Sequence, residues 1–158
     1  MKSQTSIVMI VIVIFILIGL GAFLFITSLK SYIPNEYNNL YAHNLLLSIL
    51  RKDTGYQAPC RTISDLIVCA HTTPEKRCGG ERCADLSNQM VPNEINKIIK
   101  PNFDYLLIVE PDFWEIYGGY RLIYGNQLIE KSKNRWQANE KVLAYETNLN
   151  IKLIIAEK

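Results

Sequence analysis

The stretch whose reading decides the fold is Ile7 to Ile26, IVMIVIVIFILIGLGAFLFI, twenty consecutive residues with no charged and no hydrogen-bonding side chain. At about 1.5 Å of rise per residue, a helix of that length spans the roughly 30 Å hydrocarbon core of a bilayer. Ile, Val, Leu and Phe dominate it, the residues that insertion into lipid favours most. Gly19 and Gly21 would weaken a soluble helix but are well tolerated in lipid. A cleaved secretory signal would carry a shorter apolar core, about 7–15 residues, and then a small-x-small site. The exit here, Phe25-Ile26-Thr27-Ser28-Leu29-Lys30, offers none. Residues 7–29 therefore read as an uncleaved transmembrane helix. Lys2 and the free amine flank one end and Lys30 the other, and that bias places residues 1–6 in the cytoplasm and residues 30–158 outside.

Working outward, the chain has 158 residues, room for about one domain beside the span. Its net charge is +2. The first thirty residues contribute Lys2 and Lys30 and no acid, which leaves 15 basic against 15 acidic groups in the remainder. A domain with no basic excess has no counterion release to draw on, which excludes a nucleic-acid binder working by phosphate neutralisation. Collagen, disordered and coiled-coil compositions are excluded as well.

Beyond the span, Ser31 to Asn35 reads as a short interruption, with Pro34 suited to the first turn of a new helix or to a kink in a continuing one. Asn35 to Lys52 is predicted helical. Leu40, His43, Leu47 and Leu50 recur at helical spacing on one face. Asp53-Thr54-Gly55 is a stop signal. Residues 56–83 form a cysteine-bearing loop region, in which Thr62 to Val68 looks like a short capped helix with Asp65 in its first turn. Val91-Pro92 breaks the pattern, and Asn93 to Lys100 reads as a second short helix with Ile95, Ile98 and Ile99 inward. Strand signals then take over. Phe103 to Glu110 is a compact β run. Glu115-Ile116-Tyr117 and Tyr120 to Tyr124 could pair across Gly118-Gly119. Gln127-Leu128-Ile129 reads as a third short strand, Ser132 to Glu140 as polar loop around Trp136, and Val142 to Glu146 with Ile151 to Ala156 as a closing pair. Helices first and strands last argue for α+β, an antiparallel sheet packed on the first exterior helix.

Cys60, Cys69, Cys78 and Cys83 lie within 24 residues. An even number of cysteines in an exported domain reads as two disulfides, with three pairings open. Closing loops of this size removes unfolded-state entropy worth about 2–3 kcal/mol. The alternative is a metal site with His71 as a further ligand. Structural zinc usually takes ligand pairs separated by two to four residues, and only Cys78 to Cys83 approaches that spacing. We expect disulfides, no metal and no cofactor.

Residues suited to catalysis are few. Only His43 and His71 can act as bases near neutral pH. His43 sits on the apolar stripe, as a hydrogen-bonded core histidine would, and His71 reads as a loop residue. There is no phosphate loop, nucleophile elbow or His-Glu-x-x-His. Glu110, Asp112 and Glu115 around Trp114 read as a solvated strand end rather than a sugar site. Trp114, Tyr117, Tyr120 and Tyr124 are a candidate binding face, against the plainer reading of cross-strand packing.

The extreme N-terminus, Met1-Lys2-Ser3-Gln4-Thr5-Ser6, leads straight into the apolar run. It resembles the class III signal peptide of archaeal type IV pilin-like proteins, in which a basic residue, a small residue and Gln precede the helix. The resemblance implies cleavage by a prepilin peptidase on the cytoplasmic side, with Lys2 as the basic position, Ser3 before the cut and Gln4 as the new N-terminus. The layout is also similar to that family: a long helix, half in the membrane and half against a sheet, then a cysteine-bearing region. What it implies is a non-enzymatic structural or accessory subunit of a surface filament, with lipid, further copies and other membrane or filament subunits as partners. The alternative is a single-pass protein whose outer domain binds a partner within a larger membrane complex.

Overall fold

A computed structural model describes residues 2–112, 120–144 and 148–158. The chain divides into two units, Met1–Asn38 and Asn39–Lys158.

The first unit is helical. Helix α1 runs from Lys2 to Leu50 and carries an apolar stretch, Met9–Ser28, of mean hydropathy 3.2, none of it buried. That is long and apolar enough to cross a bilayer, and a signal sequence would have the same character. Thr27, near its end, turns its hydroxyl back onto the carbonyls of Phe23 and Leu24, at 3.1 and 2.9 Å. A polar side chain satisfied by its own helix costs little in lipid. The expected interruption at Ser31 to Asn35 does not occur, because helix continues through Pro34. Pro34 removes one amide donor, but favourable helix on both sides means that the costly nucleation step is met only once.

In the second unit, the last turns of α1 bury Ala42, Leu45, Leu46, Ile49 and Leu50, the i, i+3, i+4, i+7, i+8 pattern of a face set against a core. The face predicted from Leu40, His43, Leu47 and Leu50 is therefore rotated: Leu50 is buried as expected, but Leu40 is exposed and Leu47 and His43 lie on the flank. Both stripes have helical spacing, but the first holds three aliphatic residues, Leu40, Leu47 and Leu50, and the second five, Ala42, Leu45, Leu46, Ile49 and Leu50. Helix α2, Ile63–Thr72, begins where the sequence marks it. Thr62 Oγ1 accepts from the Asp65 amide at 3.1 Å, and Asp65 Oδ2 accepts from the Thr62 amide at 3.0 Å. This capping box satisfies two amides that helix geometry leaves without partners.

A two-stranded hairpin follows, β1 Arg77–Cys78 against β2 Glu81–Arg82. Its turn, Gly79-Gly80, has φ of 61° and 111°, which residues bearing a Cβ rarely adopt. Helix α3, Cys83–Ile98, runs through Pro92 and buries Leu86, Ser87, Val91 and Ile95. The separate helix expected from Asn93 is thus the end of a longer one, and Ile98 is exposed rather than inward. Asn88, four residues before Pro92, is exposed, so solvent meets the carbonyl that proline leaves without an amide.

Four strands, β3 Phe103–Pro111, β4 Leu122–Gly125, β5 Arg135–Leu143 and β6 Asn148–Glu157, form one antiparallel sheet in the order β4-β3-β6-β5. The two central strands are apolar along one face and, on the other, only at Leu106, Ile108, Ile154 and Ala156, with Asp104, Glu110, Asn150 and Lys152 around them. Phe103, Tyr105, Leu107 and Val109 of β3, with Leu149, Ile151, Leu153 and Ile155 of β6, join the buried faces of the three helices in one cluster. Leu106, Ile108, Ile154 and Ala156 face the other way, where Ile129 covers them.

Two sequence expectations change here. Gln127-Leu128-Ile129 is not a strand but part of a 3-10 helix, Gln127–Lys131, started by Asn126, whose side chain accepts from the Leu128 amide at 3.0 Å. Ser132 to Glu140 is not a loop, because β5 begins at Arg135. Trp136 and Ala138 point inward between exposed polar neighbours, and Trp136 meets Phe103 edge to face at 5.8 Å, a favoured aromatic geometry. The hairpin expected across Gly118-Gly119 lies, in its first arm, outside the described residues. Its second arm pairs with β3, Leu107 opposite Tyr124. The architecture is α+β, with an N-terminal apolar helix and a C-terminal antiparallel sheet.

Candidate functional site

The chemically distinctive part of the second unit is a knot of four sulfurs. Each comes from a different piece of backbone, and each piece is held by local hydrogen bonds. The loop after α1 is clamped to the start of α2: the Thr54 amide bonds to the Arg61 carbonyl at 2.9 Å and the Ile63 amide to the Lys52 carbonyl at 2.9 Å. The buried Thr54 hydroxyl donates to the carbonyls of Cys60 and Arg61 and accepts from the Tyr56 amide. These bonds set Cys60 into the core. Cys69 sits on the buried face of α2, Cys78 ends β1, and Cys83 opens α3. The Cys83 amide reaches back to the Lys76 carbonyl at 2.7 Å, which closes the hairpin under the two helices. The structure pairs Cys60 with Cys78 and Cys69 with Cys83. The pairs interlace, so the two closures share the segment from Cys69 to Cys78.

Beside the knot lies an open groove of about 530 Å³ between the cysteine region and the end of β5. Val68, Cys69, Val142, Leu143 and Ala144 give it an apolar floor, and Arg61, Asp65 and Lys76 contribute charge. Leu143 is 85% exposed. The groove is nearly illegible in the sequence, because one wall comes from Ala58 to Lys76 and the other from Val142 to Ala144. The one legible hint is a leucine at the end of an otherwise polar-faced strand. The described lining residues include no histidine, and their single cysteine is in a disulfide.

The aromatic face proposed from sequence, Trp114, Tyr117, Tyr120 and Tyr124, is described only at its last two residues. Trp114 and Tyr117 lie outside the described residues. Tyr120 is exposed, but Tyr124 is buried at 3% exposure. Its hydroxyl donates to Ser87 Oγ at 3.2 Å, and Ser87 in turn donates to the Ala84 carbonyl at 2.9 Å. Tyr124 is a core residue because β4 alternates Leu122 and Tyr124 inward against Ile123 and Gly125 outward.

Burial pushes the Tyr124 phenol up to about 12 from its ordinary value near 10. A folded-state value above the unfolded one means that the stabilisation is whole below about pH 10 and is lost as pH rises from there through about 12. That difference corresponds to at most about 2–3 kcal/mol. Urea melts of the native chain should therefore lose stability between about pH 10 and 12. Tyr124→Phe should remove that part of the slope, and an unchanged slope would show that the phenol is solvated in the folded state.

The two histidines are tied into structure. His43 Nδ1 lies 3.7 Å from Glu140 Oε1 of β5, on the flank of α1 and not in the core. His71 is in the last turn of α2, and its Nε2 is 2.7 Å from the Tyr120 carbonyl. A carbonyl only accepts, so that nitrogen carries the proton. The acidic residues near the end of β3 are matched with cations, Glu110 with Arg121 at 3.2 Å and Asp112 with Lys141 at 3.0 Å, while Glu115 lies outside the described residues. Arg82 is held between Asp85, at 2.6 Å, and Glu75, at 3.3 Å. Hydrogen bonds first to Asp85 and then to Glu75 raise its already high pKa. Lys2, Ser3 and Gln4 open α1.

Comparison with protein-family models, curated proteins and solved structures returns no match to this chain.

Proposed function

We propose that this chain is a membrane-anchored, non-enzymatic protein with its sheet domain outside the cell, and that it serves as a pilin-like structural or accessory subunit of a surface filament. One observation carries the reading. A helix of 49 residues holds, in sequence, the Lys2-Ser3-Gln4 motif, an unburied apolar span and a stripe that enters the core of an α+β domain. Such a helix serves a lipid-held subunit, and equally one whose apolar segment leaves the bilayer to pack with copies of itself. Gly19 and Gly21, with no other group within 4 Å of a Cβ built on either, permit close helix approach there. Two interlaced disulfides suit an oxidising exterior. The pairing of the acidic groups and histidines with structural partners favours a non-catalytic role.

The test is N-terminal sequencing of protein purified from its native membrane. The expected mature chain begins at Gln4, cut after Ser3. A mature chain that retains Met1 would overturn the filament reading and leave the second one, a single-pass protein that binds a partner through its outer domain. The groove beside the knot, with Leu143 exposed at its edge, favours that second reading. It predicts co-purification in detergent with unlike subunits.

A further inference from the structure

We propose that the four-sulfur knot is also a metal site: with its cysteines reduced, the chain binds one zinc-class ion through Cys60, Cys69, Cys78 and Cys83. This goes beyond the filament reading and does not depend on it. The four Sγ atoms all lie within 4.8 Å of one another. Sulfurs that are not bonded to each other are also close, Cys83 to Cys78 at 3.2 Å and Cys83 to Cys60 at 3.6 Å. A tetrahedral zinc with bonds of about 2.3 Å requires sulfurs about 3.8 Å apart. Two disulfides need only two short contacts, whereas here all four sulfurs share one site, as a tetrahedron requires.

The chain spacing argues against a local zinc knuckle, but the fold supplies what spacing lacks. The Gly79-Gly80 turn returns Cys83 to Cys78, and the clamp around Thr54 delivers Cys60 to α2 beside Cys69. All four cysteines are buried at 4% exposure or less, so the ligands are shielded from water. Cys69 also lines the groove, which gives an ion an entry path. Cys83 stands in the first turn of α3, where the amide dipoles favour its thiolate. Before export every such chain carries thiols, and the reduced knot then has a metal to organise it. Outside, thiol–disulfide exchange with two equivalents of a disulfide oxidant replaces the metal with the two disulfides: each oxidant disulfide takes two electrons and leaves as two thiols, and the ion is released.

The chemistry balances. Two molecules of a trialkylphosphine, each taking an oxygen from water, reduce the two disulfides to four thiols. The divalent ion then displaces four protons as it takes four thiolates, and its own oxidation state does not change.

The experiment titrates Co²⁺, then Zn²⁺, into the reduced full chain in detergent micelles. One cobalt per chain is expected, with an intense sulfur-to-cobalt charge-transfer band in the near ultraviolet and strong visible bands of tetrahedral coordination, both bleached by zinc. Cys78→Ser should weaken binding by more than about 100-fold, beyond the roughly 10–100-fold that loss of an outer partner costs. The oxidised chain, whose fold needs no metal, should take up none. Substoichiometric uptake by the reduced chain, absence of the sulfur band, or equal binding by the oxidised chain would each overturn the proposal.

Discussion

Deleting residues 9–28 should move the protein almost entirely from the membrane pellet to the soluble fraction, while the sheet domain keeps its fold. Each Ile, Val, Leu or Phe at the centre of a span contributes about 0.3–0.6 kcal/mol to insertion, so a stretch of this composition amounts to roughly 5–10 kcal/mol. Nothing else among the described residues approaches it, since Met9–Ser28 is the one candidate span. The domain should survive because the core that joins Ala42 to Ile155 lies wholly in Asn39–Lys158. A single charge should not suffice. Ile18→Arg, at the middle of the span, costs about 2.5–3.5 kcal/mol and leaves insertion favourable. Fractionation with detergent and carbonate extraction checks both variants. A deletion variant that still pellets with membranes would mean that the sheet domain itself holds the lipid or a membrane partner.

Removing one disulfide should cost the oxidised domain about 3 kcal/mol. Cys69 and Cys83 are 14 residues apart, and a closed loop of about 15 residues restrains the unfolded chain by that amount. For a unit of this size the loss lowers Tm by roughly 10–15 °C, a large share of a total stability of about 5–15 kcal/mol. The double variant Cys69→Ala/Cys83→Ala isolates the bridge and leaves Cys60–Cys78 intact. Calorimetry with and without a reductant is the measurement. If the variant melts with the parent under oxidising conditions, the Cys69–Cys83 bridge does not restrain the chain in solution; a loss well beyond about 3 kcal/mol would mean that Cys69 and Cys83 each pair with one of the other two cysteines, because both bridges are then broken. Peptide mapping without reduction would then identify which pairing forms.

Much of the fold is legible locally. The apolar span needs only length and composition. The Thr62/Asp65 capping box is a four-residue pattern, and α2 begins where it says. The Phe103 run is strand because eight residues, six of them aromatic or aliphatic, between Pro101 and Pro111 fit little else. Misreadings occur where two local patterns compete. The face of α1 is one: Leu40/His43/Leu47/Leu50 and Ala42/Leu45/Leu46/Ile49/Leu50 are both helically spaced, and only the core chooses. At Pro92 the breaker is overruled because Val91 and Ile95, on either side, are fully buried. Strand β5 was open to detection, since Trp136, Ala138 and Val142 fall on one face of a two-residue period, but the polar residues between them resemble a loop. As for the candidate site, the sequence names its cysteines but not the groove wall at Leu143, nor the burial that removes Tyr124 from any surface.

The amino-acid order by itself determined an apolar helix at the N-terminus, helices before strands, and a cysteine-rich insert between them. These are properties of contiguous residues, set by side-chain transfer energies and backbone periodicity that act within a turn or two. Only the tertiary structure decided which cysteine meets which, that all four sulfurs share one site, that the groove has a floor, and that β4 pairs with β3 and β5 with β6 to make an open four-stranded sheet. Those outcomes join residues tens of positions apart. They depend on which buried faces fit together once water is excluded, and no local window of sequence contains that information.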